Sequence, residues 1–323
     1  MAKLGEKFKP MTRQVMVITG ASSGIGLATA EMAATLGARV VISSRNEGDL
    51  QNIADKLNAR GGKVLPVRAD VTKYEDLKNL CDRALEAFGE IDTWVNNAGG
   101  SLYGSLLETT EEEERALFET NFWSVRHGSR VAVNAMRNRG GVLINVGSEV
   151  SARSYPLQGM YSASKHAVKA FTDALRMELE HNYIPIAVSL IRPTAIDTPF
   201  PDHAVNRLKN GEPSLPDPAL HPDYAAKAII ECAERPRRDV YVGAGAKMTA
   251  LMEFLMPRWA DKHLEKTAFK DQTRGTTLRH EPQNEVLKGV APKEGEMLGH
   301  HIGKVKAEED MKRPHITDPT HLH

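Results

Sequence analysis

The chain has 323 residues and is 41% hydrophobic, enough for one large α/β domain or two modest ones around a proper core. Lys plus Arg and Asp plus Glu both number 42, so no global field would draw in nucleic acid or an anionic membrane. Two cysteines, Cys81 and Cys232, cannot form a disulfide framework, and neither a secretory leader nor an apolar run of roughly 18 residues is visible, so a reducing cytoplasm is the expected compartment.

A short basic leader occupies residues 1–11. Residues 14–19 (QVMVIT) are a compact apolar run ending at Gly20, followed by ASSGIGLATAEMAATLG, which predicts a strand, a glycine turn and a helix stopping at Gly37. Gly20, Gly24 and Gly26 are spaced GxxxGxG, one variant of the dinucleotide fingerprint. Gly20 allows the tight turn, Gly24 lets backbone approach a pyrophosphate and Gly26 lets the helix lie close on the strand. Residues 39–43 (RVVIS) read as a second strand. At its end an acidic residue would bind the ribose 2′-hydroxyl of NAD, whereas this chain has Ser43, Ser44 and Arg45, a set that favours a 2′-phosphate and hence NADP(H) over NAD(H). An arginine in a plain surface loop would look the same.

A helix over 47–60, a strand over 63–67 and Asp70-Val71-Thr72 come next, with Thr72 placed to cap a helix running to Phe88 whose apolar face includes a buried Cys81. Residues 91–95 form a short strand ending in Asn96-Asn97-Ala98-Gly99-Gly100, a turn that would let a flat ring approach backbone. Thr110 and Glu113 form a capping box, so the acidic run 111–114 reads as the start of one long helix to about residue 138, not as a metal site. That helix carries Asn121. Residues 141–146 (GVLINV) are a near-continuous apolar strand, as in a parallel sheet covered on both faces, and Ser148 sits just past its carboxyl end.

Tyr161 and Lys165 lie four apart on the next helix, 161–181, so a phenol and an ammonium share one face. Two charges about 4 Å apart at an effective dielectric of about 20 interact by roughly 4 kcal/mol, about three pK units, which would bring the phenol toward neutrality and make it a general acid/base. Alone, such a pair is ordinary solvated helix surface. A strand over 185–191 leads into Arg192-Pro193-Thr194-Ala195-Ile196-Asp197-Thr198-Pro199, and residues 200–223 read as a mobile loop over the site. A helix over 224–235 and a strand over 239–242 complete the pattern. Beyond Gly245, Met248, Leu251, Met252, Leu255 and Trp259 form an apolar stripe expected to dock on its own domain or a partner subunit. From about residue 270 onward an extended or partly disordered tail is expected, and His300, His301, His321 and His323 lack metal-ligand spacing.

Thr19-Gly20-Ala21-Ser22-Ser23-Gly24-Ile25-Gly26, Asn96-Asn97-Ala98-Gly99, Asn121, Ser148 and Tyr161-Ser162-Ala163-Ser164-Lys165, in that order, resemble the compact short-chain dehydrogenase/reductase family over roughly residues 12–243. The resemblance implies a single Rossmann-type catalytic domain over 12–245, an α/β fold with a doubly wound seven-stranded parallel sheet and helices on both faces; residues 246–323 exceed the family's usual compact length and read as a C-terminal extension that the motifs do not explain. It implies hydride transfer between NAD(P)H and a carbonyl or alcohol. Tyr161 would be the acid/base, Lys165 would lower its pKa and hydrogen-bond the nicotinamide ribose, Ser148 would hold the substrate oxygen and Asn121 a water linking Lys165 to solvent. Asp70 and Val71 resemble the adenine contacts, Asn97 the ribose-side turn, and Ile196 with Thr198 the nicotinamide amide contacts. Where the family often has Pro-Gly after the sixth strand, this chain has Pro193-Thr194.

Two other readings compete. A sugar-nucleotide epimerase or dehydratase also uses YxxxK, but its turn usually reads GxxGxxG and it needs a larger C-terminal domain. A redox sensor or scaffold that binds NADP(H) without turnover would be favoured by loss of Ser, Tyr, Lys or Asn, and all four are present. Family members use the long helices corresponding to 111–138 and 161–181 for pairing, so the resemblance implies a homodimer or homotetramer. Leu102, Tyr103, Leu106, Phe200 and Leu208 suggest a hydrophobic ketone or aldehyde as substrate.

Overall fold

Apolar runs with alternate residues pointing to opposite sides form the central sheet. In β1 (Val15–Thr19), Met16 and Ile18 enter one core and Val17 the other. Val40 and Ile42 against Val41 in β2 (Arg39–Ser44), and Val142 and Ile144 against Leu143 in β6 (Gly141–Val146), divide the same way. The computed structural model describes residues 8–209, 211–216, 218–243, 252, 255–271 and 297. Its main sheet has seven parallel strands in the order β3-β2-β1-β4-β6-β7-β9, with β3 Lys63–Arg68, β4 Thr93–Asn96, β7 Ile186–Pro193 and β9 Asp239–Val242. The chain winds outward from β1 in one direction and from β4 in the other. The crevice between their carboxyl ends is thus the switch point where open α/β sheets hold ligands.

One core lies under α1 (Gly24–Thr35), α2 (Glu47–Asn58) and α7 (Pro222–Glu234). The other lies under α3 (Tyr74–Phe88), α5 (Ser124–Met136) and α6 (Gly159–His181) and includes Cys81. The basic leader is anchored in its described part, where Met11 is buried and Lys9 pairs with Glu90 and Asp92.

Four local expectations change. Thr72 does not cap α3; its N–H and hydroxyl both donate to Asp70 Oδ1, closing a tight turn instead. The helix expected over 111–138 is three pieces: α4 (Glu111–Phe118), a π turn (Glu119–Trp123) and α5, because the side chain of Asn121 is tied to Gly100 and Ser164. The capping box at Thr110 and Glu113 is present. The stretch 200–223 contains β8 (Val205–Asn206), which pairs in parallel with β5 (Leu102–Tyr103). Finally, α8 (Pro257–Asp271) buries Ala260 and Ala268, whereas Leu255 and Trp259 of the stripe are 60% and 53% exposed in the single chain, so these two do not dock on the described part of their own domain. Small side chains let this helix approach closely, and Asp261 pairs with the buried Arg153 at 2.6 Å. Met248, Leu251, the four C-terminal histidines and most of the tail beyond 271 lie outside the described residues, but Met297 packs against the first core. No described helix is long and apolar enough to cross a membrane.

Candidate active site

The carboxyl ends of six neighbouring strands open into one cavity of about 680 Å³, within the usual range of ligand sites. At its first end Gly20, Ser22, Ser23, Gly24 and Ile25 carry the wall from β1 into α1. Gly20 has φ +64°, and a Cβ there would lie 2.7 Å from the Ala98 Cα, so the turn needs glycine on both counts. Gly26 is not in the wall. A Cβ on it would fall 2.1 Å from the Gly20 carbonyl oxygen, so its role is to let the turn fold back on itself. Asn97 Nδ2 donates to the carbonyls of Thr19 and Gly20, while Thr19 Oγ1 accepts from the N–H groups of Asn97 and Ala98. These bonds lock the β1 and β4 turns together, with Ala98 and Gly99 facing the cavity.

Beyond β2, Ser44 and Arg45 line the same cavity beside the N-terminus of α2, which Asn46 caps. Arg45 is exposed and forms no ion pair with another described residue. Asp70 and Val71 face it from the end of β3, next to the turn that Thr72 completes. On the far side stand Pro193, Thr194, Ile196 and Thr198, the last packed against Gly24.

Between these walls lie Ser148, Tyr161 and Lys165. Ser148 follows β6; its hydroxyl accepts from the Val150 N–H and hydrogen-bonds the Tyr161 phenol. Burial pushes that phenol up to about 12, the Ser148 bond opposing the rise and the charge of Glu149 adding to it. Burial also pushes the Lys165 ammonium down to about 8; its Nζ donates to the Val146 carbonyl at 3.1 Å and lies 5.8 Å from the centre of the Tyr161 ring. The expected lowering of the phenol by Lys165 is not among the influences on it; burial dominates both groups. Asn121 sits behind the wall, fully buried, with Oδ1 accepting from Gly100 N–H at 2.8 Å and Nδ2 donating to the Gly100 carbonyl and Ser164 Oγ. It holds the β4 turn against α6.

Several cavity residues have no counterpart in the motifs: Glu149, Val150, Tyr155, Gln158 and His203. The visible signal was Glu149, a carboxylate directly after Ser148 at a strand's carboxyl end. Of the apolar residues proposed to meet substrate, Tyr103 and Phe200 line the cavity, the Phe200 ring 5.7 Å from that of Tyr161; Leu102, Leu106 and Leu208 do not. Leu102 packs into a local core and Leu106 covers Gly159.

The family model for short chain dehydrogenase matches residues 14–208. The chain is 42% identical over 268 residues to the uncharacterized oxidoreductase YxnA of Bacillus subtilis, covering 82% of this chain and 75% of that one. A short chain dehydrogenase/reductase from Burkholderia phymatum, solved in complex with NAD, superposes with TM-score 0.68 at 30% identity over 84% of this chain and all of its own. An alcohol dehydrogenase from Thermococcus sibiricus, solved with 5-hydroxy-NADP, gives TM-score 0.62 at 30% identity over 71% of this chain and 94% of its own.

Proposed function

The chain belongs to the short-chain dehydrogenase/reductase family and is an oxidoreductase acting on CH–OH or C=O groups, and on that premise we propose that it uses NADP(H) on a substrate with a largely apolar body. The observation that carries the reading is the hydrogen bond from Ser148 to Tyr161 beside a buried Lys165, all three at the middle of the cavity. Neither coenzyme form follows from the solved relatives, one of which holds NAD and another an NADP derivative. The preference for NADP(H) rests on Ser44 and Arg45, where an acidic residue would select NAD.

A dinucleotide fits the wall. Ser22, Ser23, Gly24 and Ile25 at the start of α1 would hold the pyrophosphate, with Gly20 shaping the turn and Gly26 closing it. Ser44 and Arg45 would take the 2′-phosphate, Asp70 and Val71 the adenine, Asn97 to Gly99 the adjoining ribose, and Pro193, Thr194, Ile196 and Thr198 the nicotinamide end. The bound cofactor supplies or accepts the hydride. Tyr161 holds its proton at neutral pH, as any phenol does and the more so for being buried, so in reduction it is ready to give that proton to the substrate oxygen, and in oxidation it takes one. Ser148 Oγ holds the same oxygen, and Lys165 supplies positive charge when the phenol ionises. Asn121 keeps the β4 turn and Ser164 in register with Lys165. Apolar contacts come from Tyr103, Val150 and Phe200.

Tyr161→Phe tests the assignment. NADPH oxidation across a panel of ketones, quinones, steroids and acyl thioesters should fall by at least about 100-fold while NADPH affinity by fluorescence titration stays within a factor of two. A Phe variant that keeps wild-type turnover removes Tyr161 from the acid/base role.

A further inference from the structure

Glu149 is a buried carboxylate in the wall of the reaction cavity, 8% exposed, and none of the roles above uses it. It directly follows Ser148, and its charge acts on the Tyr161 phenol. Thr194 Oγ1 donates to Glu149 Oε2 at 3.0 Å. That threonine is itself held: its N–H donates to the Val242 carbonyl, and its methyl sits where a Cβ on Gly243 would be, 2.5 Å away. Only a glycine at 243 leaves room for the side chain that orients Glu149.

Among the described residues Thr194 is the sole hydrogen-bond donor to this carboxyl group. Burial raises it to about 6, with the Thr194 bond opposing the rise, so at neutral pH it is mostly ionised. The ammonium of Lys165 is directed to the Val146 carbonyl. An ionised carboxylate with one neutral donor keeps acceptor capacity on the cavity side, where a ligand donor can take it.

We propose that Glu149, oriented by Thr194, accepts a hydrogen bond from a substrate hydroxyl on the carbon next to the reacting one, so that the substrate class is an α-hydroxyketone or vicinal diol with an apolar body. The inference rests on Ser148 and Tyr161 holding the reacting oxygen. Glu149 lines the same cavity as Ser148 and Tyr161 and its charge is felt at the phenol, so a hydroxyl beside the reacting oxygen is the donor it would meet, while Tyr103 and Phe200 cover the rest of the molecule. A site built to take a hydroxyl rejects the analogue without one, because its own polar group is left unpaired.

The test compares 2-hydroxyacetophenone with acetophenone under NADPH, and 1-phenyl-1,2-ethanediol with 1-phenylethanol under NADP⁺, in the wild type and in Glu149→Gln. The wild type should favour the hydroxylated member of each pair by roughly 10- to 100-fold in kcat/KM, mainly through KM, as for a hydrogen bond to a charged acceptor. Glu149→Gln should reduce that preference at least about tenfold while leaving NADPH affinity and the rates on acetophenone and 1-phenylethanol within about threefold. Equal rates, the reverse preference, or turnover of neither pair by the wild type overturns the proposal without any variant having to fold. Glu149→Gln that weakens NADPH binding but keeps the hydroxyl preference also overturns it and assigns the donor to the nicotinamide carboxamide. Loss of activity in Tyr161→Phe with no hydroxyl preference in the wild type leaves the oxidoreductase reading standing and removes only this one.

Discussion

Tyr161 and Lys165 share one face of α6, yet burial shifts the phenol up to about 12 and the ammonium down to about 8, so burial works against the charged form of each. The i,i+4 spacing correctly placed the two groups together but not in water, and the dielectric around them decides which effect wins. Arg45 is the opposite case. It is exposed at the cavity edge and unpaired among the described residues, so its charge is available to a ligand phosphate. Arg45→Ala should weaken NADPH binding by roughly 10- to 100-fold and NADH binding by less than about threefold, as for loss of one charge-assisted hydrogen bond. Fluorescence titration with both coenzymes checks it, and equal losses for the two would place Arg45 away from the 2′-phosphate.

Two devices at the level of elements shape the substrate end. The π turn at Glu119–Trp123 places Asn121 inside the protein, where it ties the β4 turn to α6. The stretch after β7 is fixed to the body by the pairing of β8 with β5 and by Arg207, whose guanidinium binds the buried Glu113 carboxylate, Nε lying 2.7 Å from Oε1. The same carboxylate closes the capping box of α4, so a helix start and a loop anchor depend on one side chain. Burial pushes Glu113 up, but the bonds from Arg207 and Thr110 prevail and hold it below the usual carboxylate range. A depressed pKa gives stability that is present above the unfolded value and is lost as pH falls through the folded one. Arg207→Ala should lower stability by about 3 kcal/mol or less, since Glu113 is then buried without its cation. It should also raise KM for substrate with NADPH affinity unchanged, because this stretch carries Phe200 and His203 into the cavity. Chemical denaturation and steady-state kinetics measure the two effects; an unchanged KM would mean that the clamp serves stability alone.

At the scale of the whole molecule, α5 and α6 present a face that the other described residues leave uncovered. Met177 is 63% exposed on α6, and Trp123, 40% exposed at the π turn, packs its ring near His127 and beneath Arg126. Pairing through this face predicts a dimer or tetramer at micromolar concentration by light scattering, and Trp123→Arg should shift it toward monomer; a monomeric wild type would contradict the pairing. The order of elements, the seven strands and the glycine turn were legible in the residues because parallel strands buried on both faces need continuous apolar runs, and tight turns beside them need glycine. Ser148, Tyr161 and Lys165 were legible only through the whole ordered motif set, since a strand end and a helical spacing taken alone leave the pair on an ordinary solvated helix face. The rest depends on residues far apart in sequence. The short β5/β8 sheet, the broken helix around Asn121 and the Arg207–Glu113 clamp are made by contacts that no local pattern encodes. Tertiary structure alone set the ionisation of the central pair and brought Thr194 to Glu149, because desolvation and distant hydrogen bonds exist only once the strand ends have been gathered around one cavity.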